Sequence, residues 1–278
     1  MRYNRVCDED DWDDPALQQI MIGELHLPPD IGEKRERKHW EWALGFHALK
    51  NYGFLNRDYR ALGVGSGHEA IMYALANHMG LVVATDLYGA TPFSDMEADR
   101  IVLSDPAAFC DFPYDRERLQ VKRMDASRID YPDGYFDAIF SFSSIEHFGD
   151  DERVVRAMRE AHRVLREGGI YVLSVDYIFK SPWPRLSRRL RWSQAGEFFD
   201  RNDVSRLLIR SAGFKTREEI LFDVPDGKIG NIFDVITRES STDRIHPHIY
   251  LSCPRTVRKR LFLGNYLFSS LFLVLFKE

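Results

Sequence analysis

Residues 60–69 read Arg-Ala-Leu-Gly-Val-Gly-Ser-Gly-His-Glu, and residues 81–86 read Leu-Val-Val-Ala-Thr-Asp. The first stretch sits in a short strand pattern, Tyr59 to Val64, that breaks into glycines. The second is a continuous apolar run, Leu81 to Thr85, that ends on Asp86. Between them His68 to Met79 has helical character. Strand, glycine turn, helix and strand make the unit of a parallel sheet. Glycines let the backbone turn sharply and approach a ligand closely. The helix that follows offers free N–H groups to an anionic or polar group. Asp86 stands 19 residues beyond Gly67, where a carboxylate can accept both hydroxyls of a ribose. The turn alone would equally serve a ligand-free connection. Turn and carboxylate together point to a nucleoside cofactor without choosing it, because Gly65-x-Gly67-x-x-Ala70 also satisfies the dinucleotide pattern.

The alternation continues outward. Leu119 to Met124 reads as a strand closed by Asp125, Asp133-Gly134 as a turn, and Phe136 to Phe142 as the next strand. Asp150 or Asp151 caps a helix to Arg166, with Val154, Val155, Met158, Ala161, His162 and Leu165 on one face. Gly168-Gly169 stops it, and Ile170 to Val175 is a further strand. Asp200 or Asn202 starts a helix to Ala212. Lys215 to Phe222 and His248 to Ser252 are the best strand candidates in the remainder. Upstream, residues 33–52 read as a helix, with Trp40, Ala43, Leu44 and His47 at helical spacing and Gly53 as its stop. The acidic residues before it read as loose. Residues 88–119 carry Pro92, Pro106 and Pro113 and read as an irregular insertion with one helical turn. Long loops of that kind are often functional lids.

The expectation is therefore an α/β fold, a doubly wound, mostly parallel Rossmann-like sheet. Residues 1–52 form an N-terminal helical extension. Residues 53–254 form the main domain, with the insertion at 88–119 and a basic segment at 180–192. Residues 255–278 form a basic, hydrophobic C-terminal tail. In such sheets ligands sit at the carboxyl ends of the strands.

Two further segments choose the cofactor. Met124-Asp125-Ala126 ends the third strand, where a carboxylate and a backbone N–H can read an adenine edge. Ser143-Ser144-Ile145-Glu146-His147-Phe148 follows the fourth. With these in place the chain resembles the class I S-adenosylmethionine-dependent methyltransferases, of the broad type 11 group. The resemblance covers about residues 58–176 and reaches more thinly to 214. It implies that Gly63, Gly65, Ser66 and Gly67 form the cofactor loop, and that Asp86 holds the ribose with Leu87 near the adenine. Asp125 and Ala126 would hold the adenine amino edge, and Ser143 would line the methionine end. S-adenosylmethionine is the cofactor so implied. Two positions depart from the family: Gly63 stands where an acidic residue is usual, and Glu69 where a third glycine is usual. Either Glu69 partly replaces the lost carboxylate near the methionine ammonium, or it is a helix N-terminal glutamate favoured by the dipole.

Methyl transfer from a sulfonium is an in-line displacement, so the protein supplies orientation and, for a hydroxyl acceptor, a base. His147 is the candidate base, since it follows the fourth strand and its unperturbed pKa suits the task. Glu146 could orient it or bind substrate. The plainer alternative is that the pair merely borders the pocket. Trp40 and Trp42 read as core. No metal is expected.

The net charge is −5, which does not mark a nucleic-acid binder. Cys7, Cys110 and Cys253 lie far apart and make neither a disulfide framework nor a zinc pattern. The first residues contain no apolar run, so the expectation is a cytoplasmic protein, with the inner membrane face as a second placement. Residues 1–179 carry 20 Lys and Arg against 32 Asp and Glu, whereas residues 180–278 carry 18 against 11. The positive charge gathers in 180–192 and in Arg255, Arg258, Lys259 and Arg260, ahead of LFLGNYLFSSLFLVLF at 261–276. Sixteen such residues are short for a membrane span. Three readings of the tail stand: a core element, an interfacial membrane contact shared with 180–192, or a homodimer contact. The acceptor read from these features is a small molecule, a sugar or a lipid-linked glycan, methylated at oxygen, with no nucleic acid. The alternatives are a nicotinamide-dependent oxidoreductase and a non-catalytic nucleoside-binding protein of the same fold.

Overall fold

The computed structural model describes residues 1–29, 35–90, 98–180, 198–223, 242–246, 249–252 and 266–278. Residues 181–192 of the basic segment 180–192, residues 91–97 of the insertion and residues 255–265 lie outside them.

In chain order the strands are β1 (Arg5–Val6), β2 (Arg60–Val64), β3 (Leu81–Asp86), β4 (Leu119–Arg123), β5 (Phe136–Phe142), β6 (Leu165–Lys180), β7 (Thr242–His246), β8 (Ile249–Ser252) and β9 (Tyr266–Phe276). The helices are α1 (Pro15–Gly23), α2 (Arg37–Asn51), α3 (Ala70–Ala76), α4 (Asp151–Val164) and α5 (Arg201–Asp203), the last continuing as a wider π-type turn over Val204–Arg210. The strands form one sheet in the order β4-β3-β2-β5-β6-β9-β8-β7, and β1 pairs with β9. Strands β2 to β6 are mutually parallel. Strand β9 runs antiparallel to both β6 and β8. The sheet reverses its winding between β2 and β5, which puts the switch point, and the cleft above it, at the ends of those strands.

The C-terminal apolar run is the first correction, to its placement as a separate tail: of the three readings given for it, the core element is the one the structure shows. Residues 266–276 are an interior strand of the main sheet, not a separate tail. Phe272, Val274 and Phe276 face the core under α2 and α3, while Leu271, Leu273 and Leu275 face the core under α4 and the 204–214 segment. A strand buried on both faces is apolar throughout, which is why the run has no polar side. Residues 268–276 are buried within this chain. Among the described residues no helix is long and apolar enough to cross a membrane.

The N-terminal region is the second correction. It is packed, not loose: Tyr3, Cys7 and Trp12 are buried. The buried Asp11 accepts from the Trp40 indole at 2.5 Å and pairs with Arg5 at 2.6 Å. Asp14 caps α1 through the N–H groups of Ala16 and Leu17, with Pro15 at its first position. Elsewhere the differences are local. Residues 98–118 contain three short 3-10 turns rather than one helical turn. Lys215–Phe222 is not a strand: it pairs with the sheet as single bridges, from Lys215 to Phe276 and from Leu221 to Arg5, and packs Phe222 on Tyr177 and Arg217 on Phe276. Helix α4 ends at Val164 because Leu165 already pairs with Phe136 in the sheet.

Candidate functional site

The cleft over the switch point is built from the turn after β2. Gly65 and Gly67 have φ of +61° and +47°, a conformation that glycine adopts without strain. A Cβ on Gly65 would lie 2.8 Å from that of Ser144. Side-chain bonds hold the turn from both sides. Ser144 Oγ donates to the Gly65 carbonyl at 2.6 Å, and Tyr88 Oη donates to the Gly67 carbonyl at 2.6 Å. Asp86, at the end of β3, accepts from the Gly67 N–H at 3.1 Å and from the Leu87 N–H at 2.7 Å. Burial pushes its carboxyl up, and these two N–H groups pull it back. Leu87 stays 38% exposed on the cavity wall, an apolar face beside a carboxylate. The cavity has a volume of ≈ 370 Å³, within the range of small-molecule sites.

The predicted residues divide cleanly. Gly65, Ser66, Gly67, Asp86, Leu87, Asp125, Ala126, Ser143 and His147 all line this cavity. Asp125 accepts from the N–H and hydroxyl of Ser127, both at 2.8 Å, which fixes its carboxylate at the mouth. His147 ends a single 3-10 turn, Ile145–His147, and its ring is exposed on the cavity side. Gly63 and Glu146 do not line the cavity. Gly63 is buried inside β2, where an added Cβ would stand 2.5 Å from the Phe140 ring. Glu146 is fully buried and accepts from the Asp176 N–H at 3.0 Å. Burial and the neighbouring Asp176 hold its carboxyl well above the usual range. It holds the β6 backbone at Asp176 from behind the cavity wall, which corrects the reading in which it binds substrate there.

The packing at Gly63 gives a stability prediction. Gly63→Ala forces its methyl into Phe140 and costs about 1–3 kcal/mol, read as a lowered midpoint in urea with an unchanged slope.

The cavity wall towards β5 contains charges that the motif reading passed over. Helix α2 contributes Arg37 and Lys38 to this wall and Glu41 behind it. Arg37 pairs with Asp176 and donates to Ser270 Oγ at 2.8 Å and Ser143 Oγ at 3.3 Å. Glu41 is fully buried and accepts from the hydroxyls of Ser143, at 2.8 Å, and Ser270. Burial opposes its charge, but Lys38 and Arg37 outweigh that and lower its pKa. Lys38 reaches over the turn to Glu69 at 2.8 Å and to the Phe142 carbonyl at 2.7 Å. Ser143 sits among them with φ of +45°, a strained conformation for a non-glycine residue. The available signal was Glu41 itself. It shares a helix face with Leu44 and Ala48, so a carboxylate stands on the apolar stripe of α2.

The donor set fits S-adenosylmethionine. A carboxylate at the ribose position, an apolar face next to it, and a second carboxylate at the β4 end match an adenosine laid across the strand ends. Comparison with known proteins agrees. Residues 62–173 match the family described as methyltransferase domain. The chain is 31% identical over 121 residues to the 27-O-demethylrifamycin SV methyltransferase of Amycolatopsis mediterranei (strain S699). That match takes in 44% of this chain and 39% of the relative, so the chain spans about two fifths of the length of the curated relative it matches. The YcgJ protein of Bacillus subtilis has the same fold, with a TM-score of 0.53 at 15% identity over 86% of this chain and 99% of that one. A protein of Bacillus halodurans C-125 assigned as a methyltransferase gives 0.50 at 16% identity, over 83% and 97% of the two chains. Over residues 62–173 the chain is similar to the methyltransferase-domain family, and its sheet has the fold of the two Bacillus proteins.

Proposed function

We propose that this protein transfers a methyl group from S-adenosylmethionine to a hydroxyl oxygen of a small-molecule, sugar or lipid-linked acceptor. The observation that carries the reading is the placement of His147. It stands on the wall of the cavity that Gly65, Gly67 and Asp86 form, on the β5 side of the turn. The curated relative named above is by its name an O-methyltransferase, which supports oxygen as the acceptor atom.

When bound, the cofactor supplies an electrophilic methyl group on a sulfonium. The chain's own groups then have distinct tasks. Asp86 and the glycine turn fix the adenosine. Ser143, Ser144 and Phe148 wall the side towards β5. An acceptor hydroxyl beside His147 gives its proton to an imidazole nitrogen as the oxygen attacks, and the imidazolium returns that proton to solvent, to which the ring is open.

The test is His147→Ala. Turnover should fall by about 10²- to 10⁴-fold, while calorimetric affinity for S-adenosylmethionine stays at the wild-type value. Retained turnover would remove the base role and leave the acceptor to be activated by proximity alone.

A further inference from the structure

Glu69 lies on the wall of the cofactor cavity and is only 7% exposed. It stands at the first position before α3, yet its side chain does not cap that helix. The dipole reading of this glutamate therefore lacks the hydrogen bond that would express it. One carboxylate oxygen, Oε1, takes the Lys38 ammonium at 2.8 Å. The other, Oε2, has no hydrogen-bond partner. The Trp42 indole is close enough to favour the charged form but lies out of hydrogen-bond geometry. Burial dominates and pushes the carboxyl up to about 7. A buried carboxylate with an open oxygen is costly unless something completes it.

The strand order says what would reach it. Asp125 follows β4 and Asp86 ends β3. The glycine turn follows β2, and the Phe142 carbonyl that Lys38 holds ends β5. Adenine over β4 and ribose over β3 thus send the 5′ substituent of a nucleoside across β2 towards β5. In S-adenosylmethionine that substituent ends in an α-amino acid, one ammonium and one carboxylate on the same carbon. Lys38 and Glu69 present one of each charge at that place. Of the neighbouring charges, Arg37 is bonded to Ser143, Ser270 and Asp176. Glu41 accepts from both serines through Oε1, and its Oε2 lies 3.6 Å from Lys38 Nζ, but unlike Glu69 it does not line the cavity. No carboxylate can stand at position 63 instead, since Phe140 fills that space.

We infer that Glu69 and Lys38 form the receptor for the amino-acid end of the cofactor, Glu69 Oε2 accepting from the α-ammonium and Lys38 Nζ donating to the α-carboxylate. This rests on the cofactor reading above and adds to it the residues that recognise the charged end.

The experiment is calorimetric titration of the full chain with two nucleosides. One is S-adenosylmethionine. The other is 5′-methylthioadenosine, which keeps the adenosine and lacks the amino acid. Glu69→Gln and Lys38→Met should each weaken the first by about 10- to 100-fold and leave the second within about twofold. Equal losses for both nucleosides would make the pair a structural element and overturn the inference. So would an unchanged affinity for S-adenosylmethionine in Glu69→Gln. If the wild-type chain binds neither nucleoside, the cofactor reading falls and takes this inference with it.

Discussion

Asp86→Ala should abolish measurable binding of S-adenosylmethionine. A carboxylate that accepts two ribose hydroxyls makes two charge-assisted hydrogen bonds, each worth about 1.5–3 kcal/mol. Losing both weakens binding by more than about 100-fold. A second effect acts in the same direction. Asp86 already ties down the Gly67 and Leu87 N–H groups, so alanine also releases the turn that receives the nucleoside. Asp86→Asn separates the two. The amide keeps one acceptor for the turn but loses the charge, so its loss should lie between those of alanine and wild type. Calorimetric titration with S-adenosylmethionine, using NADH as control ligand, reads all three proteins. Wild-type affinity in Asp86→Ala would mean that the ribose lies elsewhere, and the assignment of the cleft would fail with it. Tight NADH binding would restore the dinucleotide reading that the glycine pattern alone allows.

The parts of this site that could be read from the sequence are those in which chemistry follows a strand directly. Gly65, Gly67, Asp86, Asp125, Ser143 and His147 all lie within a few residues of a strand end, and the parallel topology brings strand ends together without further information. The charged wall is different in kind. Arg37 meets Asp176 139 positions away and Ser270 233 positions away. Such pairs exist only once β9 has been inserted beside β6, and no local pattern announces that. Glu146 misled for a related reason. Its adjacency to His147 suggested a working pair, but a 3-10 turn points neighbouring side chains in different directions. One faces the cavity and the other is buried beneath Asp176. The N-terminus misled through composition: residues 8–14 are almost all acidic or polar, and Trp12 among them is fully buried.

The largest stability effect should come from the C-terminus. A chain ending at residue 265 should fail to fold. Strand β9 is central: it pairs with β6 from Ile170 to Lys180 on one side, and with β8 and β1 on the other. Removing it leaves the long β6 edge unpaired, frees the short β8 and β1, and opens both cores at once, because Phe272 and Leu273 belong to opposite faces. Single truncations calibrate the loss. Phe272→Ala, at a fully buried ring stacked near Phe142, should cost about 3–5 kcal/mol. That is a large share of the roughly 5–15 kcal/mol by which domains are stable. Deleting Leu271 to Phe276 together, six fully or nearly fully buried apolar side chains, exceeds any such margin. Circular dichroism with thermal melting decides the matter: the truncated chain should show no cooperative transition, and Phe272→Ala should melt well below wild type. The competing view, in which 255–278 is an appendage for a membrane or a partner, makes the opposite prediction. It requires the truncated chain to melt cooperatively and to bind S-adenosylmethionine as the full chain does. The order of the strands favours the first outcome, since a sheet of this topology cannot close its β6 edge without the antiparallel strand that fills it.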